Sequence, residues 1–183
     1  GFANARMDMT RNNATLGSVR YELATGWGRV DARGYAETTS HQMNILRDKV
    51  PGMNMPMNTE GSNVGYTLTV DRRVGQRNLF RAGSDLHRFR LDDWWPPVMQ
   101  MVGSMGPSTL ENITNGRRTR VGAFGEWETR RGAWTMMAGA RTDVVSMNTD
   151  NVTGYNMSPT ATGSGAYYAD AVEFNARDHA RRD

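Results

Sequence analysis

Met53, Met55 and Met57 form an M-x-M-x-M run in a polar stretch that also holds Pro51 and Pro56, and His41 and Met43 form H-x-M just upstream. Met99, Met101 and Met105 make a second group, again among Pro and Gly. The chain carries 13 methionines in 183 residues, and most lie outside segments that read as strand interiors, Met136 and Met137 excepted. Methionine in a core is ordinary gap filling. In polar loops it gains little by burial, so its chemistry becomes the better reason for its presence. A thioether is a soft ligand suited to Cu(I), and imidazole also suits copper. Thioethers need no deprotonation, so such a site works over a wide pH range. The metal-ligand candidates are therefore Met53, Met55, Met57, Met43, His41, Met99, Met101 and Met105, with copper as the bound or transported ion. The competing reading is that these methionines pack against one another.

Other chemistries lack an anchor. Cysteine is absent, which removes disulfides, zinc–thiolate sites and a cysteine nucleophile together. Glu126 and Glu128 are spaced to share one face of a strand, where a water-facing role outweighs acid–base catalysis. No G-x-S-x-G, P-loop or G-x-G-x-x-G occurs, so no enzyme is expected. The net charge is only +3, with Lys49 the single lysine, and this weak excess does not call for nucleic acid. Tryptophan can stack on bases, but it then needs a basic groove beside it, and here Glu and Asp share the polar faces.

The elements that must position these residues follow a period of two. Val19, Tyr21 and Leu23 alternate with Ser18, Arg20 and Glu22. Arg29, Asp31, Arg33, Tyr35 and Glu37 alternate with Val30, Ala32, Gly34 and Ala36. The same pattern predicts strands over 63–72, 78–91, 119–130 and 134–147. About six strands result, joined alternately by tight turns and by long loops over 45–61, 94–118 and 148–165; segment 167–182 reads as a short helix or loop. The fold class expected is all-β, an antiparallel meander of long strands. Loops beyond about 12–15 residues are uncommon in compact soluble domains, whereas transmembrane barrels combine short turns at one end with long loops at the other. One face is apolar enough to meet lipid and the other is charged enough to line a wet lumen. Trp27, Trp127 and Trp134 sit near turns, as an aromatic girdle requires. Trp94–Trp95, followed by Pro96–Pro97, is either an interfacial anchor or a pin for the long loop. No stretch reaches the roughly 18 apolar residues of a transmembrane helix, and no signal peptide is read at the start. A soluble antiparallel sandwich also alternates, so a soluble periplasmic copper-binding module and a metal-free structural β protein remain alternatives.

The segments LDDWWPPV (91–98), GPSTLENITNGRRTRVGAFGEWE (106–128), GARTDVVSM (139–147), GYN (154–156) and YADAVEFNARDHARRD (168–183) resemble the barrel of TonB-dependent copper receptors. The M-x-M-x-M run resembles methionine-rich loops of that family. The resemblance implies a barrel of about 22 strands in the outer membrane of a Gram-negative bacterium. It also implies an N-terminal plug and metal ion transport of copper, driven by the TonB complex. Copper would be held by methionine and other soft ligands of plug and barrel, and only the barrel side carries over, onto Met53, Met55 and Met57. No plug domain or TonB-interacting segment is read within 1–183. Six strands also fall short of the roughly eight that close a transmembrane barrel. The expectation is thus a single partial barrel segment whose partners are copper, outer-membrane lipid and, by resemblance, the TonB complex.

Overall fold

The computed structural model describes residues 8–44, 56–96, 110–153 and 171–182. They form one antiparallel sheet whose strands are ordered as in the chain: β1 (Asp8–Ala24), β2 (Arg29–Asn44), β3 (Met57–Val74), β4 (Asn78–Trp95), β5 (Leu110–Arg131), β6 (Trp134–Asn148) and the two-residue β7 (Arg181–Arg182). A short helix, α1, spans 171–175. The meander is the expected all-β fold, and the sheet is not closed on itself.

Alternation sets the two faces. Directly paired residues of antiparallel strands project to the same side, so the register can be read straight across the sheet. One row runs Val19, Gly34, Tyr66, Leu86, Val121 and Val144. The next, one residue along, runs Arg20, Arg33, Thr67, Asp85, Gly122 and Asp143. The face of the first row also carries Tyr21, Leu23, Val64, Phe80, Trp127, Trp134 and Met136, all exposed. The tight turns lie at one end of the strands. Gly75 and Gly132 adopt positive φ there, 63° and 60°, a region that glycine enters without steric cost. Thr25 closes the β1–β2 turn through its backbone N–H and its hydroxyl, both donating to the Gly28 carbonyl at 2.8 and 2.9 Å.

The hydrophobic core is almost absent. Among the described residues only Trp95, Leu110 and Ala171 are buried and apolar, and no side chain reaches full burial. Trp95 and Leu110 are register partners at the long-loop end of β4 and β5. Of the two roles considered for Trp94–Trp95, this favours pinning the strand ends. Nearby, Asp92 accepts from the Asn115 amide at 2.6 Å, and Asn115 itself takes a φ of 49°. Asn175 of α1 brackets Val152, accepting from its N–H at 2.8 Å and donating to its carbonyl at 2.7 Å.

The strands are longer than alternation alone indicates. The first begins at Asp8 rather than Ser18, the third at Met57 rather than Asn63, and the fifth at Leu110 rather than Thr119. Each extension runs toward the long-loop end. There the ladder of backbone hydrogen bonds continues through polar residues that have no apolar face to alternate. The loop expected over 45–61 accordingly gives up Met57 to β3, and 167–182 contributes both α1 and β7.

Candidate metal-capture row

The long-loop end of β2 and β3 brings three methionines into one row. Met9 pairs with Met43, and Met43 pairs with Met57. Cβ atoms of directly opposed residues lie roughly 4.5–5.5 Å apart, so neighbouring thioethers on their flexible stems can converge on one ion. Met43 lies on the charged face, two residues beyond His41, and these two therefore project to the same side. A β-bulge between Met9 and Arg11 brings Met9 to that side as well. Met9 is exposed, while His41, Met43 and Met57 are half-buried.

The row rests on a polar frame. Gln42 donates to Asn58 Oδ1 at 2.8 Å on the opposite face, tying the ends of β2 and β3 together. Thr59, which pairs with His41, donates to Asp93 Oδ1 at 2.6 Å, and Asn112 donates to Asp93 Oδ2 at 2.7 Å. A single half-row of hydrogen bonds thus links β3, β4 and β5 at the level of the histidine.

Of the sequence candidates, His41, Met43 and Met57 are brought together. Met53, Met55, Met99, Met101 and Met105 lie outside the described residues. Met9 was missed by sequence reasoning, because only strand pairing joins it to Met43. Among the described residues no group of three or more His, Cys, Asp or Glu side chains is set to hold a metal; the row above is a different, thioether-rich donor set.

Toward the turn end, the same face is a wall of ion pairs. Arg20 contacts Asp31 at 2.5 Å and Glu22 at 2.6 Å. Arg81 bridges Asp71 at 2.9 Å and Glu126 at 3.1 Å. Asp85 takes Arg120 and Arg141, each at 2.7 Å, and Arg141 also reaches Asp143 at 2.6 Å. Glu128 pairs with Arg130 at 2.9 Å. Both glutamates that share a face on β5 are therefore engaged by arginine. Each such pair stabilises little by itself when partly exposed, but alternating signs across the six long strands keep this face hydrated and nearly neutral.

Comparison with family models, characterised proteins and solved structures gives no match for this chain.

Proposed function

We propose that this chain is a stretch of outer-membrane β-barrel wall that captures copper for uptake. The reading is supported by one observation above the others. Among the described residues, a long meander exposes an apolar face and a charged face, with almost no core on either side. In water, a soluble domain must bury its apolar stripe against a second layer. In a bilayer that face meets lipid, the backbone groups are satisfied strand to strand, and the charged face lines a wet lumen. Trp27, Trp127 and Trp134 lie at the turn end and are exposed, the placement of an interfacial aromatic belt. Among the described residues, β1 has no strand on its outer side and β6 pairs with β7 only at Ser146 and Met147, and such open edges call for further strands to complete the wall.

On this reading the row of Met9, Met43 and Met57, with His41 beside it, is the copper-capture site at the loop end of the lumen face. Met53 and Met55 are candidates to extend it from the adjoining loop, and Met99, Met101 and Met105 from the next. The soft donor set favours Cu(I). The likeness to TonB-dependent copper receptors adds the energised transport partner and the Gram-negative outer membrane. The role is binding and passage rather than catalysis.

The membrane half of the reading is tested by spin labelling, which is direct because the chain has no cysteine. Val121→Cys and Arg120→Cys place labels on opposite faces of β5. In phosphatidylcholine vesicles the label at 121 should be relaxed by oxygen and shielded from a water-soluble nickel chelate, with the reverse at 120. Equal exposure of both labels to the chelate would contradict lipid contact.

A further inference from the structure

The charged face holds a hollow between the methionine row and the ion-pair wall, and its origin is a missing side chain. Glu37 pairs with Asn63 and Asn63 with Phe89; the next row on this face is Thr39, Gly61 and Leu91. Gly61 leaves the middle of that second row empty. The resulting cavity is about 220 Å³, lined by Glu37, His41, Asn63, Phe89 and Leu91 around Gly61. This is too large for a bare ion and suits a small organic group.

Its chemistry is one-sided. Most carboxylates on this face are held by arginine, but Glu37 makes no ion pair or hydrogen bond with any described residue. Asn63 Oδ1 is buried and also has no donor among the described residues. A buried acceptor without a partner carries a desolvation cost until a donor arrives. Phe89 lines the hollow, and aromatic rings are favourable neighbours for organic cations; Leu91 supplies apolar contact for a stem. Arg118 pairs with Phe89 on the far side and does not line the hollow. A free carboxylate, an unfilled acceptor and an aromatic wall around one cavity together select an organic cation with several N–H donors.

We propose that this hollow is a binding site for a guanidinium or ammonium group, presented either by a small molecule or by an arginine or lysine side chain. Glu37 supplies the counter-charge, Asn63 accepts one N–H, and Phe89 and Leu91 flank the carbon stem. The site adjoins the copper-capture row, with His41 at their common border, but its own groups, Glu37, Asn63, Phe89 and Leu91, do not depend on copper.

The test is calorimetric titration of the full chain in detergent, free of metal, with propylguanidinium and with a blocked arginine dipeptide. Two variants probe the site. Glu37→Gln removes the charge and keeps the shape. Gly61→Val fills the cavity at little strain, because a Cβ there meets Phe89 Cε2 at 3.7 Å and Leu91 Cδ1 at 3.9 Å, ordinary contact distances. The parent should bind at least one of the two probes. Each variant should weaken that binding about tenfold or more, the scale of a lost charge-assisted hydrogen bond, with strand content unchanged by circular dichroism. The tighter of the two probes identifies the source of the cation. Absence of binding to the parent, equal affinity in the parent and both variants, or equal binding of neutral propanol would overturn the proposal. Cu(I) titration of the same variants separates this outcome from a failure of the copper reading.

Discussion

Arg141 on β6 reaches Asp85 on β4 at 2.7 Å across the intervening strand β5, because the residue between them is Gly122. A Cβ at that position would lie 2.2 Å from Arg141 Nη2, 2.7 Å from Asp143 Oδ1 and 2.9 Å from Asp85 Oδ2. The empty position is what lets two non-adjacent strands form an ion pair. Gly122→Val should therefore expel the guanidinium and lower the thermal midpoint in detergent by about 2–4 °C. Gly125→Val, where nothing lies within 4 Å, should leave it nearly unchanged. In an Arg141→Ala background the Gly122→Val penalty should shrink; a penalty that stays the same would show that the ion pair is not its cause.

A second close approach involves Gly83 on β4. A Cβ there would meet Phe124 Cε1 and the Leu68 carbonyl oxygen, each at 2.5 Å. The Phe124 ring covers the backbone that glycine leaves bare. Gly83→Ala should cost about 1–3 kcal/mol by overpacking, read from urea unfolding followed by tryptophan fluorescence. A change near zero would mean that the ring moves aside freely.

The buried pair at the long-loop end should carry more stability per residue than any position on the open faces. Trp95 and Leu110 are 7% and 3% exposed, and truncating a buried tryptophan to alanine costs about 3–5 kcal/mol. Trp95→Ala is expected in that range, and Trp134→Ala, at 76% exposure, well below it in detergent. Comparable losses at the two positions would remove the distinction between pin and belt.

The lipid-facing assignment makes a depth-dependent prediction. Arginine at the midplane of a barrel's lipid face costs about 2–4 kcal/mol, so Val121→Arg should sharply reduce the fraction of chain that co-floats with vesicles. Met137→Arg is the matched control. Met137 is 63% exposed and pairs with Glu128 on the opposite, charged face, and insertion should survive there. Equal effects on flotation would sink the assignment of faces.

How much of this was legible in the sequence depends on the residues concerned. The two faces were readable from the first half of β2, where Val30, Ala32, Gly34 and Ala36 alternate with Arg29, Asp31, Arg33, Tyr35 and Glu37. The tight turns were marked by Gly26, Gly75 and Gly132. The strand ends were not readable: 8–17 is polar nearly throughout, and it becomes strand only because β2 offers a ladder through non-local pairs that run from Asp8–Asn44 to Gly17–Ala36. The same limit hid Met9. Strict alternation counted back from Val19 puts Met9 on the apolar side, and the bulge at Met9/Arg11 reverses it. Bulges insert one unpaired residue and re-aim a side chain, and they leave no reliable mark in a single sequence. His41 and Met43 could be found because H-x-M itself implies a shared face on any strand. Their meeting with Met57 required the register.

The most direct test of the account is a Cu(I) competition titration of the full chain against Met43→Leu, with Met9→Leu and Met57→Leu beside it. Leucine keeps apolarity and approximate size but removes the sulfur. Met43 stands at the centre of the row, so its loss should weaken Cu(I) binding about tenfold or more, and the flanking variants should each weaken it as well. Parent-like affinity in all three variants, or no Cu(I) binding by the parent, would contradict the claim that this row captures copper.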